Sequence, residues 1–532
     1  MKGLKTLLSF CLIACTLVSC ASTKSSPKGS QSDASSVKLH YVGSYNTNNY
    51  DSSADGGVAE IVDFNLDKNY MYIVSGHKQE LLIVEIKANG STVEKQRIKL
   101  STILSDKAVA GDMTSVAYNP LDKTVAVAVQ HTDYTANGKI LILSDEGKLQ
   151  KTYNAGVQPD MVVFSPDGKY VATANEGEPR KGYVDGIDPE GSITLVELSS
   201  NTVTTTNFAG VNCDKKVLIK AGATAQKDLE PEYIAFSDDS KALYVSLQEN
   251  NAIASLDIKT KKWNYIKGLG FKDHSLEKNA IDLTRLEAKD VEAGKGNYID
   301  IKPEPNVFGV YMPDGIAYVE IAGKGYILTA NEGDAREWDG SKKENNYSNV
   351  DSGYVNKSSK VGKKTEFLIP SSTSGLEEGK TYLLGGRSFS IWSADDLHLV
   401  YDSGSDFEKI TAAKFPKYFN SDHSEVSVDK RSSKKGPEPE TVATIKIDEK
   451  FYALIALERI GGIFLYDISN PAEATFVDYY NPRNFEASDI KQQGDLGPEG
   501  IATITAEKSP TGKPLVLVAN EISGTVSIFE IK

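Results

Sequence analysis

The chain has 532 residues with a formal charge of −14, and it carries only four cysteines. No basic run offsets the acidic balance, which argues against a nucleic-acid partner and favours cations or positively charged partners. So few cysteines in so long a chain exclude a disulfide-built scaffold, and the fold must hold by its apolar core.

In chain order, Lys2 and Lys5 precede an apolar stretch from Leu7 to Val18, too short to span a bilayer as a stable helix. It ends in Leu17-Val18-Ser19-Cys20, a small residue before a cysteine. This pattern is that of a bacterial lipoprotein leader: residues 1–19 are removed and Cys20 is lipidated. Cleavage of an ordinary secretory signal near Ala21 is the alternative. Either way an exported chain is expected, and in the first case it is anchored to the cell envelope on its periplasmic or surface side. Losing Lys2 and Lys5 with the leader takes the charge from −14 to −16. Residues 20–37 are Ser-rich with Pro and Gly and read as a flexible tether.

From residue 38 onward one pattern repeats. GVAEIVDFNLDKNYMYIVSGH begins at 57, MTSVAYNPLDKTVAVAVQH at 113 and PDMVVFSPDGKYVATANE at 159. PEYIAFSDDSKALYVSLQE follows at 231, PDGIAYVEIAGKGYILTANE at 313, PETVATIKIDEKFYALIALE at 439 and PEGIATITAEKSPTGKPLVLVANE at 498. Each holds a strand, a turn rich in Asp, Gly or Lys, and a second apolar strand. A third strand follows in each, such as LLIVEI at 81 or TVSIFEI at 525, and often a polar fourth, such as TVTTTNF at 202. The repeat predicts an all-β fold, a seven-bladed β-propeller spanning 38–532 as one domain. The last unit lacks a fourth strand, and KLHYVGSY at 38 is left over at the other end. That segment is expected to complete the last blade and close the ring. Polar insertions near 263–311, 339–384 and 405–437 read as solvated loops or, functionally, as a cap over one mouth.

In a blade the first strand starts at the face to which the second returns. The first-strand starts read Glu60, Thr114, Asp160, Glu232, Asp314, Glu440 and Glu499. The second-strand ends read His77, His131, Glu176, Glu249, Glu332, Glu458 and Glu521. Eleven carboxylates and two imidazoles are thus expected around one opening. Such a ring does not stay fully ionised in a narrow funnel, so bound metal, protonation or nearby Arg and Lys must offset it. Arg180, Arg336, Arg459 and the Lys-rich stretch 430–435 are available. Turn chemistry at Pro-Glu and plain solvation are the bland alternatives, but turn chemistry gives no reason for His where Glu is missing. The oxygen-rich ring favours Ca²⁺ or Mg²⁺; His77 and His131, from neighbouring blades, would draw Zn²⁺, Mn²⁺ or Fe with Glu60 or Glu521. HExxH, EF-hand, CxxC, GxSxG and P-loop patterns are absent.

Taken together, ANEGEP with DPEGSI, DLEPEYIAFS with LQENNAIA, YMPDGIA with TANEGDAREWDG, GRSFSIW, KGPEPE, LERIGGIFLYDISNP and VANEISGT resemble the choice-of-anchor I proteins. These are bacterial surface or secreted propellers, similar to the animal mesenchyme-specific cell surface glycoprotein. One departure is the stretch DKRSSK before KGPEPE, where the family commonly carries acidic residues. The resemblance implies surface display, and some relatives carry a phosphatase-type label. Three functions follow as expectations. The first is a monomeric, membrane-anchored propeller that binds metal and a small-molecule or protein ligand at its acidic mouth. The second is a metal-dependent phosphoesterase, with Arg180, Arg336 or Arg459 clamping phosphate. The third is a structural adhesin.

Overall fold

A computed structural model of the chain describes residues 37–50, 57–104, 110–180, 187–335, 352–355, 365–368, 370 and 373–532. Cys20 and Arg336 lie outside them, as do the leader, the tether up to residue 36 and much of the stretch 339–384.

Residues 37–532 form one compact unit, and its described residues are all-β apart from short helical turns and the helix Asp406–Lys414. Among the described residues there are seven four-stranded antiparallel sheets and one five-stranded sheet. The first sheet runs Val62–Asn65, Tyr70–Ser75, Glu80–Ile86 and Thr92–Lys99. The second runs from Met113–Asn119 to Leu149–Val157, and the third from Pro159–Phe164 to Thr202–Asn207. The fourth begins at Ile234–Phe236, the fifth at Ile316–Ile321, the sixth at Pro439–Ile447 and the seventh at Pro498–Ile504. Neighbouring sheets touch through these first strands in chain order, and the seventh also touches the first.

The strand patterns follow from that packing. Each sheet has a neighbour on both faces, so second and third strands bury both faces and read as unbroken apolar runs. Tyr70–Ser75 and Tyr170–Asn175 are buried along nearly their whole length. Fourth strands lie outermost and stay polar, as Thr202–Asn207 does. Seven apolar clusters sit between neighbouring sheets. One joins Ala172, Leu195, Leu243 and Leu256 of the third and fourth sheets. Another joins Phe389, Ile391, Ile455 and Phe464 of the fifth and sixth. Turns between first and second strands use positive φ, at Asn69, Lys123, Gly168 and Asp448 among others, which suits tight hairpins.

The segment left over at the N-terminal end, Leu39–Asn46, pairs antiparallel with the last strand, Thr525–Ile531, from Leu39 opposite Ile531 to Asn46 opposite Thr525. It is the outer strand of the seventh sheet.

The insertions differ from solvated loops. The stretch that starts at 263 first completes the fourth sheet, through Lys262–Gly268. Phe271–Asp273, Val307–Val310, Thr381–Leu384, Thr365–Leu368 and Ser352–Val355 then build the five-stranded sheet. Val307–Val310 and Thr381–Leu384 pair in parallel, and Leu218, Val310, Tyr382 and Leu384 give this sheet a small core of its own. Its attachment to the 405–437 insertion is polar and buried. Arg387, 2% exposed, forms a 2.8 Å ion pair with Glu408 of the helix and donates to the carbonyls of Asp282, Ser432 and Lys434. Lys272 pairs with Asp402 at 3.0 Å and donates to the Gly386 and Gly404 carbonyls.

Candidate functional site: a buried carboxylate cluster at the strand ends

The ends of strands one and two are tied by backbone hydrogen bonds, so their side chains meet. The Glu176 N–H donates to the Gln158 carbonyl, Glu458 to Glu438, Glu521 to Gly497 and His77 to Gly57. In three sheets the register slips just past the acidic residue, between Pro159 and Val162, Pro439 and Val442, and Pro498 and Ile501. Such bulges re-aim side chains. The residue two positions before the acid takes positive φ at Gln158, Met312, Glu438 and Gly497. Only the last is a glycine, and each of the others stores about 1 kcal/mol of backbone strain that its surroundings must hold.

The repeated asparagine has a structural role. Asn175 donates to Ser192 and to Thr194 Oγ1 on the third strand, and its Oδ1 accepts from Gly156 N–H and Thr173 Oγ1. Asn331 does the same with Ser388, Ser390 and Thr329. Asn520 reaches Thr525 and Ser527. Each fastens strand two to strand three below the opening and leaves the next residue, Glu176, Glu332 or Glu521, to project at the strand end.

The acidic residues do lie together. Burial first, and neighbouring carboxylates second, push Glu232, Glu440 and Glu499 well above the ordinary carboxylate range. The neighbours named by those interactions link Glu60, Asp160, Glu176, Glu249, Asp314, Glu332, Glu458 and Glu521 into the same cluster. Asp160 is raised to about 7, chiefly by burial and by Asp314. Asp314 is raised to about 6 by burial, and Glu521 to about 8 by burial and Glu458. All eleven predicted carboxylates thus belong to one electrostatic neighbourhood. Thr114, the one non-acidic start, donates to the Pro159 carbonyl.

Among the described residues, the oxygens of three carboxylates converge in each of two places. Those of Asp314, Glu440 and Glu499 lie within 4.8 Å of one another, as do those of Glu332, Glu440 and Glu458. Glu440 is 7% exposed, and its Oε2 is buried with no hydrogen-bond partner. Glu232 Oε2 is in the same condition. A third group is His423, Glu458 and Glu521.

The imidazole that joins the cluster is therefore one the repeat could not reveal. His77 is exposed, and His131 spends its Nδ1 accepting the Asp133 N–H. Among the described residues neither falls within a close group of metal-ligating atoms. His423 comes instead from the 405–437 insertion, with Nδ1 3.0 Å from Glu458.

The same insertion delivers cations. Lys435, 3% exposed, places Nζ 2.5 Å from Glu332 Oε1, 3.1 Å from Glu438 and in contact with Asp334. Burial opposes its charge, but Asp334, Glu332 and Glu438 outweigh burial and hold the ammonium well above its usual range. Glu438 is the hub of this arrangement. Burial alone would raise it, yet Arg431, Arg459 and Lys435 hold it well below the ordinary range. Arg459 donates from Nε to Glu438 at 2.7 Å and lies 2.8 Å from Glu458, so its guanidinium is already engaged. Arg180 stands near Glu176 and Glu178, at 4.0 and 3.5 Å. Of the DKRSSK stretch, residues 429–434, Arg431 pairs with Glu438, whereas Lys435 is the first residue of KGPEPE.

An all-β chain of repeated four-stranded sheets with a buried carboxylate cluster at the strand ends is what these observations define. The chain belongs to the choice-of-anchor I family: residues 60–471 match the choice-of-anchor I domain, which points to a surface-associated protein. It is similar to Gigasin-3a of Magallana gigas, 35% identical over 165 residues, a match spanning 29% of this chain and 58% of that protein. Among solved structures it is similar to Kuenenia stuttgartiensis hydrazine synthase, with 11% identity, a TM-score of 0.46 and coverage of 91% of this chain and 99% of that one. It is also similar to the β-propeller domain of Myceliophteria thermophila Cps50 (Swd1), with 9% identity, a TM-score of 0.43 and coverage of 93% and 100%.

Proposed function

We propose that the chain is an exported, lipid-anchored, seven-bladed β-propeller that holds a divalent cation at its acidic mouth and engages a small-molecule or protein ligand there. The circuit of contacts from the first sheet to the seventh and back, with the N-terminal strand inside the seventh sheet, supports the closed seven-bladed reading. One observation carries the cation. Asp314, Glu440 and Glu499 converge within 4.8 Å, and Glu440 Oε2 is buried there without a hydrogen bond. Burial and neighbouring carboxylates dominate at Glu440 and Glu499, and Lys435 acts only weakly on the third member, Asp314. An oxygen-only set suits a hard cation, Ca²⁺ first and Mg²⁺ second. The group that would draw Zn²⁺, Mn²⁺ or Fe contains His423, which Glu458 and Arg459 already engage. Among the described residues, Arg459 is committed to Glu438 and Glu458 and Arg180 stands beside Glu176 and Glu178, which favours simple binding over the phosphoesterase reading.

Titration calorimetry of the metal-stripped protein with Ca²⁺ tests this. The wild type binds and Glu499→Gln does not. Equal binding by both removes the cation from this triad, and hydrolysis of a general phosphomonoester that depends on added metal would make the phosphoesterase the better reading.

A further inference from the structure

Glu440 belongs to both close carboxylate groups, the one with Asp314 and Glu499 and the one with Glu332 and Glu458. A carboxylate has two oxygens and can bridge two ions, as in sites where paired metals share a ligand. The two groups differ in what already neutralises them. Glu332 accepts from Lys435 Nζ and from Gln248 Nε2, the latter at 2.7 Å, while Glu458 faces Arg459 and His423. The Lys435 ammonium is therefore a cation that the chain supplies itself at the edge of the second group.

We infer that Glu332, Glu440 and Glu458 form a second divalent-cation seat, bridged to the first by Glu440 and kept empty by Lys435. This rests on the reading of Asp314, Glu440 and Glu499 as the first seat. The charge balance follows from the contacts. Arg431 and Arg459 remain on Glu438 whether or not Lys435 is present. Without the ammonium, Glu332 and Asp334 lose the cation they share, and the buried Glu440 carboxylate brings one oxygen within 4.8 Å of Glu332 and Glu458. A divalent ion restores what is lost and gains oxygens from three carboxylates, with water completing its shell. An ammonium and a metal ion cannot occupy that space together, so the lysine sets the number of ions the mouth takes.

Lys435→Met keeps a stem of similar length and removes the charge. Calcium stoichiometry, by calorimetry and elemental analysis of the full exported chain, reads the result. The wild type and Lys435→Arg bind one ion, Lys435→Met two, Glu499→Gln none, and the Glu499→Gln/Lys435→Met double variant one. Lys435→Met binding no more calcium than the wild type overturns the inference. Failure of the first-seat reading would look different: Glu499→Gln would bind as the wild type does, while a gain in Lys435→Met still decides the second seat. If Lys435→Met does not fold in metal-free buffer, recovery of its melting transition on adding CaCl₂, but not KCl of equal ionic strength, supports the second seat. No recovery refutes it.

Discussion

Glu521 offers a direct measure of what the carboxylate cluster costs the fold. Part of its surface reaches the opening, yet the surrounding atoms and Glu458 raise its carboxyl from an ordinary 4.5 to about 8. Arg459 works in the opposite direction, and Asp334 and Asp314 add to the rise. A raised carboxyl binds its proton more tightly in the folded chain than in the unfolded one. Its contribution to stability is therefore complete below about pH 4.5 and is lost as pH climbs towards 8. At 1.36 kcal/mol per pH unit the full gap is worth about 5 kcal/mol, and screening by water at the opening cuts this to roughly 2 kcal/mol. Glu521→Gln, which mimics the protonated acid, should recover that amount at pH 8.5 and nothing at pH 4. For a unit of about 500 residues, unfolding entropy near 1 kcal/mol/K turns this into a rise of ~2 °C in melting temperature. Differential scanning calorimetry in EDTA-containing buffers across that range makes the test. A variant no more stable than the wild type at pH 8.5, or equally stabilised at both ends, would refute the account of the cluster as mutually raised carboxyls.

Two further changes probe what holds the cluster in place. Asn331→Ala removes a fully buried amide that ties Thr329 to Ser388 and Ser390, although the serines keep Asp402 and Thr329 keeps Trp392; a loss of about 1–2 kcal/mol is expected, seen as a lowered melting temperature. Glu408→Ala leaves Arg387 buried without its counter-charge, so a loss of about 3–5 kcal/mol is expected, with limited proteolysis cutting first within 405–437.

The regular part of the molecule is written in local periodicity. Apolar runs for second and third strands, polar alternation for fourth strands and the acid at six of the seven strand starts are all set within about twenty residues of chain. What escaped depends on contacts between residues far apart. His423 and Lys435 sit in a segment with no strand pattern, and only the fold brings Lys435 beside Glu332. His77 and His131 occupy the right place in the repeat, but the strand end there turns one outward and engages the other locally. The conspicuous Asn beside Glu drew attention to the acid, whereas the amide is what the repeat needs for its own cohesion. The insertions looked like surface loops because their polar residues are frequent; Arg387, Glu408 and Lys272 are polar and buried, which composition alone does not distinguish from polar and solvated.

The pairing of Leu39–Asn46 with Thr525–Ile531 couples two segments almost 500 residues apart in the chain. Searching for a partner that distant is slow, and until it arrives the final strand presents an unmatched row of amides and carbonyls to any other chain nearby. Folding of this protein therefore has a vulnerable interval before that pairing is made, while one sticky border is still open.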